Sequence, residues 1–199
     1  MRNGGFELHP LALAAPAQAA LLAELQAGFA LAPPIRQITP WGKPMSVQQT
    51  SFGALGWTSD RKGYRYEPLH PATGRPWPET PAVLLELWAR YAGWPTPPDS
   101  CLVNIYGPEA KMGQHRDADE ADLGAPVLSV SLGDTAVFRL GGRERSDPTT
   151  TVKLNSGDVC LLKGEARQAY HGIDRVLTGS SGLIPGGGRI NLTLRRAAL

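Results

Sequence analysis

Arg189-Ile190-Asn191-Leu192-Thr193-Leu194-Arg195 alternates polar and apolar side chains without a break. Side chains on a strand point to opposite faces with period two, so Ile190, Leu192 and Leu194 share one face and Arg189, Asn191, Thr193 and Arg195 the other. This is a strand with its polar set turned inward, a reading that a solvated tail at Arg195 and Arg196 does not match. Working back from it, the chain from Cys101 onward breaks into short runs at 101–106, 127–132, 136–140, 150–154, 159–163 and 189–196, punctuated by Gly and Pro. Such runs read as strands. Their spacing points to a mainly β protein with flanking helices (α+β), built as an antiparallel barrel or jelly roll, a fold that holds ligands between its sheets.

The first half reads differently. Residues 16–29 are rich in Ala, Leu and Glu, with Pro16 at a first turn and Gly28 near the end, which predicts an amphipathic helix packed on a sheet. Thr80-Pro81 opens a second helix through Tyr91, with Val83, Leu84, Leu87, Trp88 and Tyr91 at helical spacing and Gly93 closing it. Trp77, Trp88 and Trp94 are expected in the core. The apolar stretch within 1–37 is interrupted by Pro10 and Pro16 and carries Glu24, so neither a signal peptide nor a spanning helix fits, and a cytoplasmic protein is expected. Cys101 and Cys160 lie in apolar runs without a CxxC neighbour and read as buried thiols rather than a disulfide. No repeat or low-complexity tract divides the 199 residues, so 1–199 reads as a single domain. A formal charge of +2 is too mild to demand nucleic acid, yet it allows a local basic groove.

His115-Arg116-Asp117, followed by a lone His171, is the chemical signal. An isolated His-x-Asp pair reads as two solvated loop residues. The downstream His171 and the two arginines of the last strand change that reading. Two imidazoles and one carboxylate on one face of a metal leave the opposite face open, the arrangement of non-heme Fe(II) oxygenases, although Mn, Co or Ni can take the same ligands. Such an iron needs a co-substrate that supplies electrons, and the arginines offer a clamp for its carboxylate.

Asn104-Ile105-Tyr106, the His115/Asp117/His171 set and the 189–195 strand together resemble the AlkB-type Fe(II)/2-oxoglutarate dioxygenases. The similarity spans residues 36–196 and extends through Leu55-Gly56-Trp57-Thr58, Gly63-Tyr64-Arg65-Tyr66, Pro76-Trp77-Pro78, Ser129-Val130-Ser131-Leu132-Gly133 and Gly141-Gly142. The resemblance implies a double-stranded β-helix (jelly-roll) catalytic core at 101–196, preceded at 36–95 by a nucleotide-recognition lid and a support helix. It also implies oxidative dealkylation of N-alkylated bases of the 1-methyladenine and 3-methylcytosine type, using Fe(II), O2 and 2-oxoglutarate and releasing formaldehyde, succinate and CO2. The partner implied is alkylated single-stranded DNA, with RNA and duplex DNA as further candidates, no membrane, and a monomeric enzyme.

Position by position, the resemblance makes His115, Asp117 and His171 the iron ligands and the catalytic centre. Arg195 is expected to hold the distal carboxylate of 2-oxoglutarate, with Asn104, Tyr106, Arg189 and Asn191 completing that pocket. Trp57 stands at the family's base-stacking position, Tyr64 accompanies it, and His115 is expected to press on the base from the other side. Asp119 is placed to accept from an exocyclic amino group, and Thr39 and Met45 line the lid. Lys43, Arg61, Lys62, Arg143 and Arg145 are candidates for phosphate contacts, Arg145 at the barrel mouth.

Some positions depart from the best-known bacterial pattern. Lys43 replaces an aromatic residue, Asp60 a basic one, and Leu162 a Trp, so strand preference is where this chain is expected to differ. Gly186-Gly187-Gly188 reads as a mobile link rather than a phosphate loop, since no helix pattern follows it. Two other classes compete with the dealkylase: a 2-oxoglutarate dioxygenase acting on a protein or small molecule, and a non-catalytic metal-binding barrel.

Overall fold

The computed structural model describes residues 2–198. Its strands are β1 (Arg2–Asn3), β2 (Phe6–His9), β3 (Gln48–Gly53), β4 (Gly56–Asp60), β5 (Gly63–Glu67), β6 (Ser100–Tyr106), β7 (Met112–His115), β8 (Val127–Gly133), β9 (Thr135–Leu140), β10 (Thr150–Leu154), β11 (Val159–Leu162), β12 (His171–Leu177) and β13 (Arg189–Arg195). Two helices, α1 (Ala15–Leu31) and α2 (Ala82–Tyr91), precede β6. Seven strands form one antiparallel sheet in the order β1-β2-β11-β8-β13-β6-β3, four form a second in the order β10-β9-β12-β7, and β4 and β5 make a separate hairpin. This is the jelly-roll, mainly β architecture with flanking helices that the residue pattern predicts.

The large sheet is covered on both faces, and alternation decides which residue goes where. Cys101 and Val103 on β6, Leu128, Val130 and Leu132 on β8, Val159 and Leu161 on β11, and Ile190, Leu192 and Leu194 on β13 pack with Leu21, Leu22 and Leu25 of α1 and Leu84, Leu87 and Trp88 of α2. Each fully buried Leu in this layer contributes roughly 1.5–3 kcal/mol of transfer free energy. The opposite face of the same sheet, with Phe6, Tyr106, Val127, Cys160 and Leu162, packs with Ala136, Phe138, Leu154, Ile173 and Val176 of the small sheet. Between the two sheets the polar half of β13 faces an open cavity rather than a sealed core.

The helices form as the sequence predicts, with one change of meaning. α1 buries Gln18, Leu21, Leu22, Leu25 and Gly28 on one stripe at helical spacing, and it runs past Gly28 to Leu31. Gly28 is there for contact and not to end the helix: a side chain would place its first carbon 2.4 Å from the Phe52 ring of β3. α2 begins at Ala82 with Pro81 at its cap position, and Gly93, at φ +64°, follows its end in the left-handed region. Trp77 and Trp88 are buried and Trp94 packs on the core, as expected. Both cysteines are buried and free.

Strands β1, β2, β3, β4, β5, β7 and β12 are not among the runs singled out in the sequence. β2 is the instructive omission: its four residues lie in a segment whose composition signals only helix, yet it pairs with β11 from Phe6↔Leu162 to His9↔Val159 and extends the large sheet. A four-residue run is too short for alternation to register. The expected mobile link at Gly186-Gly187-Gly188 is instead tied down: all three glycines have φ between +81° and +107°, and the Gly188 N–H donates to Asp134 Oδ2 at 2.9 Å. No helix among the described residues is long and apolar enough to cross a membrane.

Candidate active site

His115 ends β7 and His171 begins β12, and these two strands pair antiparallel with His115 directly opposite His171. The sheet register thus brings together two residues 56 positions apart, with ring centroids at 4.5 Å. Asp117 lies in the loop just past β7, with Oδ1 3.7 Å from His115 Nε2 and Oδ2 3.7 Å from His171 Nε2. The three donor atoms lie within 4.8 Å of one another.

Both imidazoles are oriented by the backbone. His115 Nδ1 lies 3.0 Å from the Gly113 carbonyl, and His171 Nδ1 lies 3.0 Å from the Ala169 carbonyl. A carbonyl can only accept, so each Nδ1 carries the proton and each Nε2 presents its lone pair to the shared space. Burial holds His171 neutral, its pKa lowered to about 4 even against the attraction of Asp117. Burial also pushes the Asp117 carboxyl up, but the attraction of the permanently charged Arg195, with Arg167 behind it, outweighs burial and holds the group well below the usual carboxylate range. Two imidazole nitrogen donors and one ionised oxygen donor suit a divalent cation such as Fe(II).

The cavity in which they sit has a volume of about 690 Å³. On its floor the inward face of β13 meets that of β6, Asn191 opposite Asn104 and Arg189 opposite Tyr106. The two arginines are not equivalent. Arg195 Nη2 donates to Asp117 Oδ1 at 2.7 Å, and Nη1 lies 3.2 Å from Glu120 Oε1 and donates to the Tyr66 hydroxyl at 3.1 Å. Arg189 is 1% exposed and donates only to neutral acceptors, the carbonyls of Asp134 and Leu154 and the Ser131 hydroxyl, and its Nε has no partner. No carboxylate among the described residues forms an ion pair with it. Burial accordingly lowers its pKa, the sign of a charge short of compensation.

The mouth of the cavity is aromatic. Trp57 on β4 and Tyr64 on β5 stack at 5.3 Å with an interplanar angle of 20°, and Trp57 Nε1 donates to Asp119 Oδ2 at 2.8 Å. Burial and the Asp119 charge raise the Tyr64 pKa. Thr39, Met45 and Arg145 line the same space, and Arg145 and Arg116 both lie over the Tyr170 ring, at 5.0 and 5.1 Å. Thus every candidate named from the sequence for the metal, the co-substrate or the base, from Thr39 to Arg195, lines one cavity. Of the five cations considered for phosphate contact, Arg145 lines it, while Lys43, Arg61, Lys62 and Arg143 lie outside. Asp60, one of the departures from the bacterial pattern, is paired within the hairpin with Arg65, at 3.0 and 2.8 Å.

Several site residues carry no sequence signal of their own. Glu120 and Arg167 are both buried: Arg167 donates to Glu120 Oε2 at 3.0 Å, to the Asp117 carbonyl at 2.6 Å and to the Ala125 carbonyl at 2.8 Å. Tyr66 donates to Glu120 Oε1 at 2.7 Å, which ties the β4–β5 hairpin to the loop bearing Asp117. Gln49 donates to Asn104 Oδ1 at 2.8 Å. Glu120 and Arg167 look like ordinary surface charges until the fold closes over them.

This geometry agrees with comparison to known proteins. The model of the 2OG-Fe(II) oxygenase superfamily matches residues 5–195. The α-ketoglutarate-dependent dioxygenase AlkB homolog of Caulobacter vibrioides is 60% identical over 97% of this chain and 88% of its own. The α-ketoglutarate-dependent dioxygenase AlkB of Escherichia coli K12 is 47% identical over 82% of this chain and 78% of its own. The solved structure of OsALKBH1 superposes with a TM-score of 0.79 at 27% identity, covering 98% of both chains. With a two-histidine, one-carboxylate centre at the mouth of a jelly roll, the chain belongs to the 2OG-Fe(II) oxygenase superfamily and is an AlkB-type, 2-oxoglutarate-dependent dioxygenase.

Proposed function

We propose that this enzyme removes alkyl groups from N-alkylated bases of the 1-methyladenine and 3-methylcytosine type in single-stranded DNA, with RNA and duplex DNA as further substrates. One observation carries the reading: the stacked Trp57–Tyr64 pair and the Asp119 carboxylate share a cavity with the His115, Asp117 and His171 donor set. A planar cationic base is the ligand such a mouth suits, because it gains both from stacking on an aromatic face and from a nearby carboxylate. A base already carrying a lesion also costs less to extrude than an intact one.

The roles follow from position. His115, Asp117 and His171 hold Fe(II). Arg189, the buried cation without a carboxylate, takes the distal carboxylate of 2-oxoglutarate, with Tyr106, Asn104 and Asn191 beside it. This exchanges the roles first expected of the two arginines. Arg195 is already committed to Asp117 and Glu120, so it works at the metal end by holding Asp117 in orientation. Iron, 2-oxoglutarate and O2 together supply hydroxylation of the alkyl carbon, after which formaldehyde leaves the base and succinate and CO2 leave the co-substrate.

Trp57 stacks on the base, with His115 on its far side. Asp119 gives one oxygen to Trp57 and keeps Oδ1 to accept from the exocyclic amino group. Thr39 and Met45 wall the base pocket, and Arg145 meets the phosphate backbone. We read 36–95 as the recognition lid with its support helix and 101–196 as the catalytic core of one domain spanning 1–199. Since one chain supplies every site residue, a cytoplasmic monomer is sufficient.

The test is mass spectrometry of a single-stranded oligonucleotide carrying 1-methyladenine, incubated with enzyme, Fe(II), ascorbate and oxygen, with and without 2-oxoglutarate. Loss of the methyl group only with 2-oxoglutarate is expected. Turnover of 2-oxoglutarate with the methyl group intact would move the substrate to a protein or small molecule.

A further inference from the structure

Trp41 is 79% exposed, the most exposed large apolar side chain among the described residues, yet it stands on the rim of the cavity that holds Trp57 and Tyr64. Its backbone is not loosely placed. The turn that carries it is closed by the Ile38–Pro44 bridge, by the Thr39 N–H to the Lys43 carbonyl at 2.8 Å, and by the Gly42 N–H to the Thr39 carbonyl at 2.8 Å. Gly42 has φ +79°, a conformation that leaves the turn tight and Trp41 at its tip. The base of the turn is fastened to the hairpin below it, where Ser59 Oγ donates to the Ile38 carbonyl at 2.6 Å and the Gln37 side chain accepts from the Ser59 N–H and donates to the Trp57 carbonyl.

We infer that Trp41 is a second stacking platform, one that receives the base adjacent to the flipped base in a single-stranded nucleic acid. The inference rests on the proposed function and extends it from the lesion to its neighbour. An indole held out in water loses the contacts that would normally cover it, and its rigid turn means little entropy is lost when something stacks there. Base–aromatic stacking needs only a π-face, so it tolerates any neighbouring sequence. The charges fit that occupant. The guanidinium of Arg61, from the turn of the β4–β5 hairpin, reaches to Gly42, the residue next to Trp41, and exposed Lys43 follows, so phosphates flanking the stacked base meet a cation from each of two adjoining turns. These two cations lie outside the base pocket, and this placement gives them a role.

The experiment compares kcat/KM, by formaldehyde release, on 1-methyladenine in a trinucleotide and in the mononucleotide 5′-phosphate, for the unaltered enzyme, Trp41→Ala and Trp41→Phe. The quantity read is the ratio of the two substrates. We expect the unaltered enzyme to favour the trinucleotide, Trp41→Ala to cut that ratio about tenfold and mainly through KM, and Trp41→Phe to keep most of it. Demethylation with the same ratio in Trp41→Ala as in the unaltered enzyme would overturn the platform and leave the proposed function standing. No demethylation of either substrate by the unaltered enzyme would refute the proposed function itself, and the platform with it.

Discussion

Arg195 donates from Nη2 to Oδ1 of Asp117 at 2.7 Å, so the last residue of the last strand sets the orientation of a candidate metal ligand 78 positions upstream. Both groups are almost fully buried, and Glu120 and Tyr66 complete the cluster around the guanidinium. Removing one member of a buried ion pair leaves an uncompensated charge, which costs about 3–5 kcal/mol. Arg195→Ala should therefore lower the unfolding free energy of the metal-free protein by about that much and weaken metal binding as well. Urea denaturation checks it, and a loss of under about 1 kcal/mol would mean that the pair does not hold the site together.

Arg189→Met should act differently, because this cation has no carboxylate to abandon. The metal site should still load, while the affinity for 2-oxoglutarate falls by about 10- to 150-fold, the range of one lost charge-assisted hydrogen bond. Calorimetric titration of 2-oxoglutarate into metal-loaded protein without oxygen reads this directly. Unchanged affinity would return the distal-carboxylate role to Arg195.

Replacing any one of the three metal-site residues, as in His115→Ala, Asp117→Ala or His171→Ala, should abolish turnover through loss of bound iron. Metal content after dialysis is the measurement. Normal metal content together with normal turnover in all three variants would sink the assignment.

Trp57→Ala should reduce demethylation while sparing succinate formation in the absence of nucleic acid, because the hydrogen bond and the ring stack that Trp57 makes go to Asp119 and Tyr64, neither of which belongs to the metal triad. A parallel fall of both activities would make Trp57 a structural residue of the hairpin.

Acid should destabilise the metal-free protein in a defined window. The folded state holds His171 at a pKa of about 4 against an ordinary value of 6.5. A depressed imidazole pKa means that the unfolded chain binds the proton more readily, so stability is complete above about pH 6.5 and declines as pH falls toward 4. Thermal melts across that range should show it, and His171→Gln should flatten the decline. An equally steep decline in that variant would place the acid sensitivity elsewhere.

Much of this protein is legible in its sequence because alternation along a strand is a local property. The run from Arg189 to Arg195 states its own faces, and in the structure its apolar half meets the helices while its polar half meets the cavity. The His115-x-Asp117 pair is legible as well, though the pairing of His115 with His171 is set by strand register, which no local pattern reports.

The different surroundings of Arg189 and Arg195 are what residue types could not reveal. Both sit on the same face of the same strand, and only the loop carrying Asp117 and Glu120, folding back over one end, neutralises Arg195 and leaves Arg189 without a carboxylate. Glu120, Arg167 and Tyr66 come from three separate segments and meet only when the hairpin, the loop and the turn before β12 converge. The sequence by itself determined six of the strands from Cys101 onward, the two faces of the last one and the set of reactive side chains, because those depend on neighbours along the chain. Only the tertiary structure decided which charge meets which, because Coulomb energy depends on distance and burial, and both are settled by packing.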